Sequence, residues 1–254
     1  MTNTNRLAVI TGGSRGLGRN AALHLAKAHV DSIITYRSHP EEAHAVVAEL
    51  EKGGVKAAAL PFDAAKSSSF EGFATNLKQT LAQRFGRERF DFLVNNAGHG
   101  LMKPFADTTE GELDELFAVH VKAPYLLTQR LLPLLADGGR VLNVSTGLAR
   151  FTLPGYSAYA AMKGAIEVLT RYQAKELGAR GISVNVVAPG AIETDFGGGH
   201  VRDNPQLNQM ISSFTALGRA GKPDDIGGVI ASLLAGDTKW INGQRIEASG
   251  GMNL

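Results

Sequence analysis

The stretch LAVITGGSRGLG, residues 7–18, decides the fold. Leu7-Ala8-Val9-Ile10-Thr11 is an apolar run of strand length, and glycines at 12, 16 and 18 follow it before an amphipathic helical pattern begins near residue 17. A strand that turns through glycines into a helix brings bare backbone to a helix N-terminus. There, unpaired N–H groups and the helix dipole attract a pyrophosphate. The glycines alone would also suit a ligand-free turn or a methyltransferase turn. A P-loop is excluded, because no Gly-Lys-Ser/Thr follows.

Working outward, short β-rich runs at 7–11, 32–36, 56–61, 91–96, 140–145, 182–188 and 244–249 alternate with helix-period stretches at 17–29, 40–52, 67–85, 112–135, 157–179 and 224–235. The strands are apolar on both faces, as in a parallel sheet covered by helices on each side. The alternation predicts an α/β, doubly wound, seven-stranded parallel sheet in a single domain over residues 1–254, since no linker, charge block or repeat divides it. One irregular stretch, 190–222, breaks the rhythm with four glycines between 190 and 199. Placed at the carboxyl end of a strand, residues 191–222 are expected to form a mobile lid over a cleft.

Composition narrows the function classes. With no cysteine among 254 residues, disulfides, thiolate metal sites and cysteine nucleophiles are excluded, which fits a cytoplasmic protein. A net charge of +2 is too small to point to nucleic acid or an anionic membrane. MTNTNRLAVITGG holds no apolar segment of signal-peptide length, and no apolar run reaches the ~20 residues that span a bilayer. The histidines are scattered and no metal site is expected.

The second strand should end beside the adenosine ribose, where a carboxylate would bind the 2′-hydroxyl of NAD. It ends Tyr36-Arg37-Ser38, with no carboxylate before Glu41. Arg15 and Arg37 could flank a 2′-phosphate, so the cofactor expected is NADP(H) rather than NAD(H). The alternative for Arg37 is a solvated surface arginine.

Four motifs, in order, make the resemblance specific: Thr11-Gly12-x3-Gly16-x-Gly18, Asn95-Asn96-Ala97-Gly98, Tyr159-x3-Lys163 and Pro189-Gly190. Together they resemble the short-chain dehydrogenase/reductase family over almost the whole chain, most closely its 3-oxoacyl-carrier-protein reductase-type ketoreductases. The resemblance implies a Rossmann-like domain that binds NAD(P)(H) and assembles as a homotetramer. It assigns cofactor contacts to Gly12, Ser14, Arg15, Gly16, Leu17, Gly18, Tyr36, Arg37 and Ser38 on the first two strand ends. Asp63 and Ala64 follow the third, Asn95, Ala97 and Gly98 the fourth, and Pro189, Gly190, Ile192 and Thr194 the sixth.

Tyr159 and Lys163 lie one helical turn apart and share a face, whereas Tyr156 is seven residues from Lys163, about 10 Å along a helix. A phenol with a pKa of about 10 needs its phenolate stabilised to work near neutrality, which a neighbouring ammonium does. Tyr159 and Lys163 are therefore the expected catalytic pair, with Tyr156 lining the cleft or only packing. The family places a carbonyl-polarising serine upstream of the tyrosine. Counting thirteen residues back gives Thr146, while a one-residue difference in the loop would select Ser145. His120 stands where the family usually has an asparagine at a helix kink. Pro124 lacks the N–H that the His120 carbonyl would receive, which frees that carbonyl for a water in a proton relay. The imidazole could itself relay protons, or could simply pack.

These readings predict an NADPH-dependent oxidoreductase that transfers hydride between nicotinamide and a small-molecule carbonyl or secondary alcohol. The alternative is a non-catalytic NADP(H)-binding sensor on the same fold. Substrate contacts are expected from His99, Gly100, Ala149, Phe151, Tyr156 and residues 193–215, with the substrate itself left open.

Overall fold

A computed structural model describes residues 5–254 of the chain; the first four residues of the predicted domain and of the N-terminal reading lie outside the described residues. All seven expected strands form: β1 (Leu7–Ile10), β2 (Asp31–Tyr36), β3 (Ala57–Pro61), β4 (Phe90–Asn95), β5 (Leu135–Val144), β6 (Ser183–Pro189) and β7 (Arg245–Ala248). They build one sheet in the order β3-β2-β1-β4-β5-β6-β7, and every pairing is parallel.

Nine helices connect the strands among the described residues: α1 (Gly16–Lys27), α2 (Pro40–Lys52), α3 (Phe70–Thr80), α4 (Glu110–Phe117), α5 (Ala123–Leu131), α6 (Ser157–Leu177), α7 (His200–Asp203), α8 (Pro205–Ser213) and α9 (Pro223–Ala235). Side chains alternate across β1, so one strand serves two cores. Ala8 and Ile10 join Leu25 of α1 and Ile230 of α9 on one face. Leu7 and Val9 join Leu77 of α3 and Leu127 of α5 on the other. Helices α1 and α9 approach closely because Gly227 carries no side chain; a Cβ there would lie 1.9 Å from Asn20 Oδ1.

Three stretches differ from the sequence reading. The helix expected over 112–135 is interrupted by a wide π-turn at residues 118–122, where the Ala123 N–H reaches back to the Ala118 carbonyl. This is the kink that Pro124 foreshadows, since proline removes an α-helical donor just beyond it. Pro133 then lies in a short 3₁₀ turn, and Leu135 already pairs with Phe90 in the sheet. The helix expected over 67–85 likewise begins as a 3₁₀ turn and ends in a π-turn over 81–85. The stretch 190–222 is not irregular throughout, because α7 and α8 lie within it. Asn204 caps α8 by accepting from the Leu207 N–H at 3.0 Å, and Pro205 occupies its first turn. No helix among the described residues is long and apolar enough to cross a membrane.

Candidate active site

The strand order reverses between β1 and β4, and the crevice outside their carboxyl ends is where open α/β sheets bind ligands. The β1–α1 turn there is packed against itself. Gly12 has φ +66°, and a Cβ on Gly18 would lie 2.2 Å from the Gly12 carbonyl oxygen, so no side chain fits. Asn96 Nδ2 donates to the carbonyls of Thr11 (2.9 Å) and Gly12 (3.0 Å). Thr11 Oγ1 accepts from the Asn96 and Ala97 N–H groups at 2.9 and 3.0 Å. Thr35 at the end of β2 accepts from Gly12 and Gly13 through its hydroxyl and carbonyl. Thr11, Thr35 and Asn96 thus set the turn, and of the three only Thr35 lies outside the motifs read from the sequence. Asn96 had a signal, its place inside the Asn-Asn-Ala-Gly motif.

The remaining expected cofactor residues ring this turn. Ser14 and Leu17 are half-buried beside it and Arg15 is exposed. Gly16, with φ +53°, faces Thr194, whose Cβ is 3.9 Å from where a Gly16 Cβ would stand. The loops after β1 and β6 therefore meet over the crevice. At the end of β2, Tyr36 is half-buried while Arg37 and Ser38 are exposed, and the Ser38 hydroxyl bonds His39 Nδ1 at 2.9 Å. Asp63 accepts from the Ala65 N–H at 3.0 Å, and Ala64 lines a small void with Thr11 and Ala97. Gly98 is exposed at the mouth. Beyond buried Pro189, a Cβ on Gly190 would come within 3.0 Å of Ser249. Ile192 bridges to Gly221, and the Thr194 hydroxyl accepts from the Phe196 N–H at 3.2 Å.

Asn95 is the exception. Its amide is buried and donates to Thr128 Oγ1 (3.1 Å) and Asn143 Oδ1 (2.8 Å), so it ties β4 to β5 and α5 and has no donor left for a ligand. The glycine turn at a helix N-terminus, with Arg15 exposed in it and Arg37 exposed at the end of β2, fits the pyrophosphate and 2′-phosphate of a dinucleotide.

The hydroxyl-bearing residues converge one strand away. Tyr156 precedes α6, so only Tyr159 shares a helical face with Lys163. The Thr146 hydroxyl lies beside the Tyr159 phenol and works to lower its pKa, and it accepts from the Leu148 N–H at 3.3 Å. Ser145 points elsewhere: its buried hydroxyl donates to Glu167 Oε1 at 2.7 Å. Of the two adjacent hydroxyls, the one that meets Tyr159 is Thr146.

Lys163 departs from expectation. Its Nζ donates to the Val144 carbonyl at 2.7 Å and lies 5.6 Å from the Tyr159 ring centre. Burial brings its pKa down to about 7. Burial, with a smaller push from Tyr156, holds the Tyr159 phenol well above its ordinary range, and the Thr146 hydroxyl opposes this. Desolvation outweighs the ammonium that helical spacing alone brings to the pair.

His120 is 2% exposed, and its Nε2 donates to the His99 carbonyl at 2.8 Å, a partner that can only accept. Nδ1 is buried without a partner. Burial, reinforced by the Lys163 charge, takes the His120 pKa down to about 2. The suggested relay through a histidine titrating near neutrality is therefore corrected: the ring stays neutral. It packs edge-on to Tyr159 at 5.3 Å between ring centres, with His99 at 5.6 Å on its other side. Phe196, in the stretch between β6 and α7, lies 5.9 Å from the Tyr159 ring and is itself 46% exposed.

Comparison with known proteins places this geometry. Residues 12–253 match the family described as enoyl-(acyl carrier protein) reductase. The hydroxynaphthalene reductase-like protein Arp2 of Metarhizium brunneum is 34% identical over 257 residues, covering 97% of this chain and 94% of the relative. The promiscuous reductase LugOII, which catalyses keto-reduction at C1 during lugdunomycin biosynthesis, superposes with a TM-score of 0.93 at 37% identity over 99% of both chains. The angucycline C-6 ketoreductase LanV with bound NADP superposes with a TM-score of 0.93 at 33% identity, covering 99% of this chain and 97% of that one. By its motifs, its sheet and these relatives, the chain belongs to the short-chain dehydrogenase/reductase family of NAD(P)(H)-linked oxidoreductases.

Proposed function

We propose that the protein is an NADPH-dependent carbonyl reductase, reversible as an alcohol dehydrogenase, whose substrates are cyclic or fused-ring aromatic ketones. The observation that carries this reading is the Thr146 hydroxyl set beside the Tyr159 phenol, with buried Lys163 one helical turn along α6. NADPH, when bound, supplies the hydride. The glycine turn would hold its pyrophosphate, Arg15 and Arg37 its 2′-phosphate, and Lys163 its nicotinamide ribose.

Thr146 would donate to the carbonyl oxygen and stabilise the negative charge that develops there. Tyr159, kept neutral by burial, would give that oxygen its proton. Lys163 sits close enough to its own pKa to exchange a proton near neutrality. The backbone carbonyl of His120, with no proline N–H to receive, remains the relay acceptor in this reading. The substrate class rests on two supports: the ring system of Phe196, Tyr159, His120 and His99, and relatives named for naphthalene and angucycline chemistry.

Leu113 and Phe117 on α4, Tyr125 on α5, and Val168 and Tyr172 on α6 leave 41–65% of their surfaces exposed. Such an apolar face supports association of copies, and a homotetramer is expected by sedimentation at micromolar concentration. A cytoplasmic location goes with this reading, and the lack of cysteine is compatible with it.

The test is NADPH oxidation, with NADH alongside, against a fused-ring ketone, a 3-oxoacyl thioester, an aromatic aldehyde and a keto-sugar. Turnover of the fused-ring ketone that is lost in Tyr159→Phe, with NADPH binding retained, is the expected result. Equal turnover in that variant overturns the mechanism. Preference for the thioester overturns the substrate class alone.

A further inference from the structure

Arg245 on β7 places its guanidinium at the junction of three elements. Its Nε donates to Glu167 Oε1 on α6 at 2.8 Å, its Nη1 to Glu247 Oε2 at 2.7 Å, and its Nη2 to the backbone carbonyl of Thr146 at 3.2 Å. Glu167 Oε1 also accepts the Ser145 hydroxyl at 2.7 Å. The two residues that follow β5 are thus gripped from both sides, Thr146 directly by Arg245 and Ser145 through Glu167. The ion pair is well shielded, with side-chain exposures of 24% for Arg245 and 14% for Glu167.

We infer that Arg245 and Glu167 are positioning residues for the Thr146 hydroxyl, an inference that rests on the role given to Thr146 above. Thr146 is past the last ladder residue of β5, so the sheet no longer dictates its orientation. Beyond its side-chain bonds, its carbonyl is held by Arg245 and by the Ala149 N–H at 3.3 Å. Rotating this peptide would swing Oγ1 away from Tyr159. An ion pair that served only to join β7 to itself would need just Arg245 and Glu247, two residues apart on one strand. The third nitrogen on the Thr146 carbonyl, and the serine on the shared carboxylate, aim the clamp at the active-site loop.

The clamp continues outward. Arg150 grips Glu247 with two bonds of 2.7 Å and donates to the Met252 and Asn253 carbonyls at 2.7 and 3.0 Å. These bonds from Arg150 hold the Glu247 carboxyl down at about 2, so the network stays charged throughout the neutral range. The three nitrogens of the guanidinium spread donors to three acceptors on different elements, a spacing that the single nitrogen of lysine does not match, so lysine is no substitute for arginine here.

A double-mutant cycle tests the inference. Arg245→Met is expected to lower kcat about 10- to 100-fold, the scale of a misplaced catalytic group, with NADPH affinity unchanged. In a Thr146→Ala background the same substitution should cost nothing further, because the group it positions is gone. Arg245→Lys should not restore kcat. Hydrogen–deuterium exchange without any substrate gives a second readout: Arg245→Met should raise uptake over residues 145–151 and leave α1 unchanged. Unchanged uptake over 145–151, or an equal further loss of kcat in the Thr146→Ala background, overturns the positioning role. Full kcat in Thr146→Ala alone would instead overturn the role of Thr146, and the positioning role with it.

Discussion

Replacing Lys163 with methionine should make the cofactor-free protein more stable while removing its activity. The lysine is 6% exposed and its pKa falls from 10.5 to about 7 through burial alone. That drop is 10.5 − 7 = 3.5 pH units, on the order of 5 kcal/mol at about 1.36 kcal/mol per unit. Above the unfolded value of 10.5 neither state carries the charge and the group exerts no penalty. As pH falls toward 7 the unfolded chain binds the proton first, so stability is lost progressively; below 7 the whole penalty is present. Methionine removes the charge at similar length but leaves the buried Val144 carbonyl without its 2.7 Å donor, a cost of about 1–3 kcal/mol. The variant should therefore gain about 2–4 kcal/mol at pH 6, roughly 5–15 °C in melting temperature for a chain of this size. The gain should shrink as pH rises, cross zero between about pH 8 and 10, and leave the variant up to about 2 kcal/mol less stable at pH 10, where the lost Val144 bond outweighs the little charge penalty that remains. Urea and thermal unfolding at pH 6, 8 and 10, at one fixed protein concentration, measure this directly. A variant no more stable than the parent at pH 6, or a gap independent of pH, would refute the reasoning.

His120 makes the fold acid-labile by the same linkage. With a pKa of 6.5 unfolded and about 2 folded, the stability it permits is complete above 6.5 and is lost as pH falls through the range below. At pH 5 the loss is about 2 kcal/mol, and His120→Gln should lose that much less between pH 7.5 and pH 5 in urea titrations. An identical acid loss in both proteins would contradict the buried, neutral histidine. Arg37→Glu should weaken NADPH binding about 10- to 100-fold, the worth of a charge-assisted bond replaced by repulsion, with little change for NADH. Fluorescence titration of both nucleotides reads the ratio, and an unchanged ratio would return Arg37 to the solvated surface.

Much of this architecture is legible because its signals are local. Each strand of the parallel sheet is a short apolar run, and the glycines after β1 announce a turn in which a Cβ on Gly18 has no room. What stayed hidden is decided by contacts distant in sequence. Counting back from Tyr159 pointed to Thr146 and left Ser145 open, and strand alternation carried a further usable signal. Asn143, two residues before Ser145, bonds Thr170 on α6, and Ser145 continues that phase to reach Glu167 on the same helix. Thr146, of opposite phase, is released to Tyr159. Asn95 reads as part of a cofactor motif, yet its partners Thr128 and Asn143 lie 33 and 48 residues on and claim its amide for the core.

The protonation states of Lys163 and His120 were not legible in the sequence for one common physical reason. Helical spacing tells which groups are neighbours, but their protonation depends on how much water the rest of the fold removes. Here the removal is nearly complete: His120 and Lys163 are 2% and 6% exposed, with the Gly98 backbone and the rings of His99 and Tyr159 against the imidazole. A Cβ at Gly98 would stand 2.6 Å from His120 Cε1, so the glycine is what lets an imidazole fill the place where the family usually carries an asparagine. That substitution turns a potential proton carrier into a neutral wall. Burial is the largest cause lowering the pKa of both His120 and Lys163, so the two shifts share a physical origin. It follows that replacing His120 with a smaller polar residue that admits water should raise the Lys163 pKa, making the two sites coupled rather than independent.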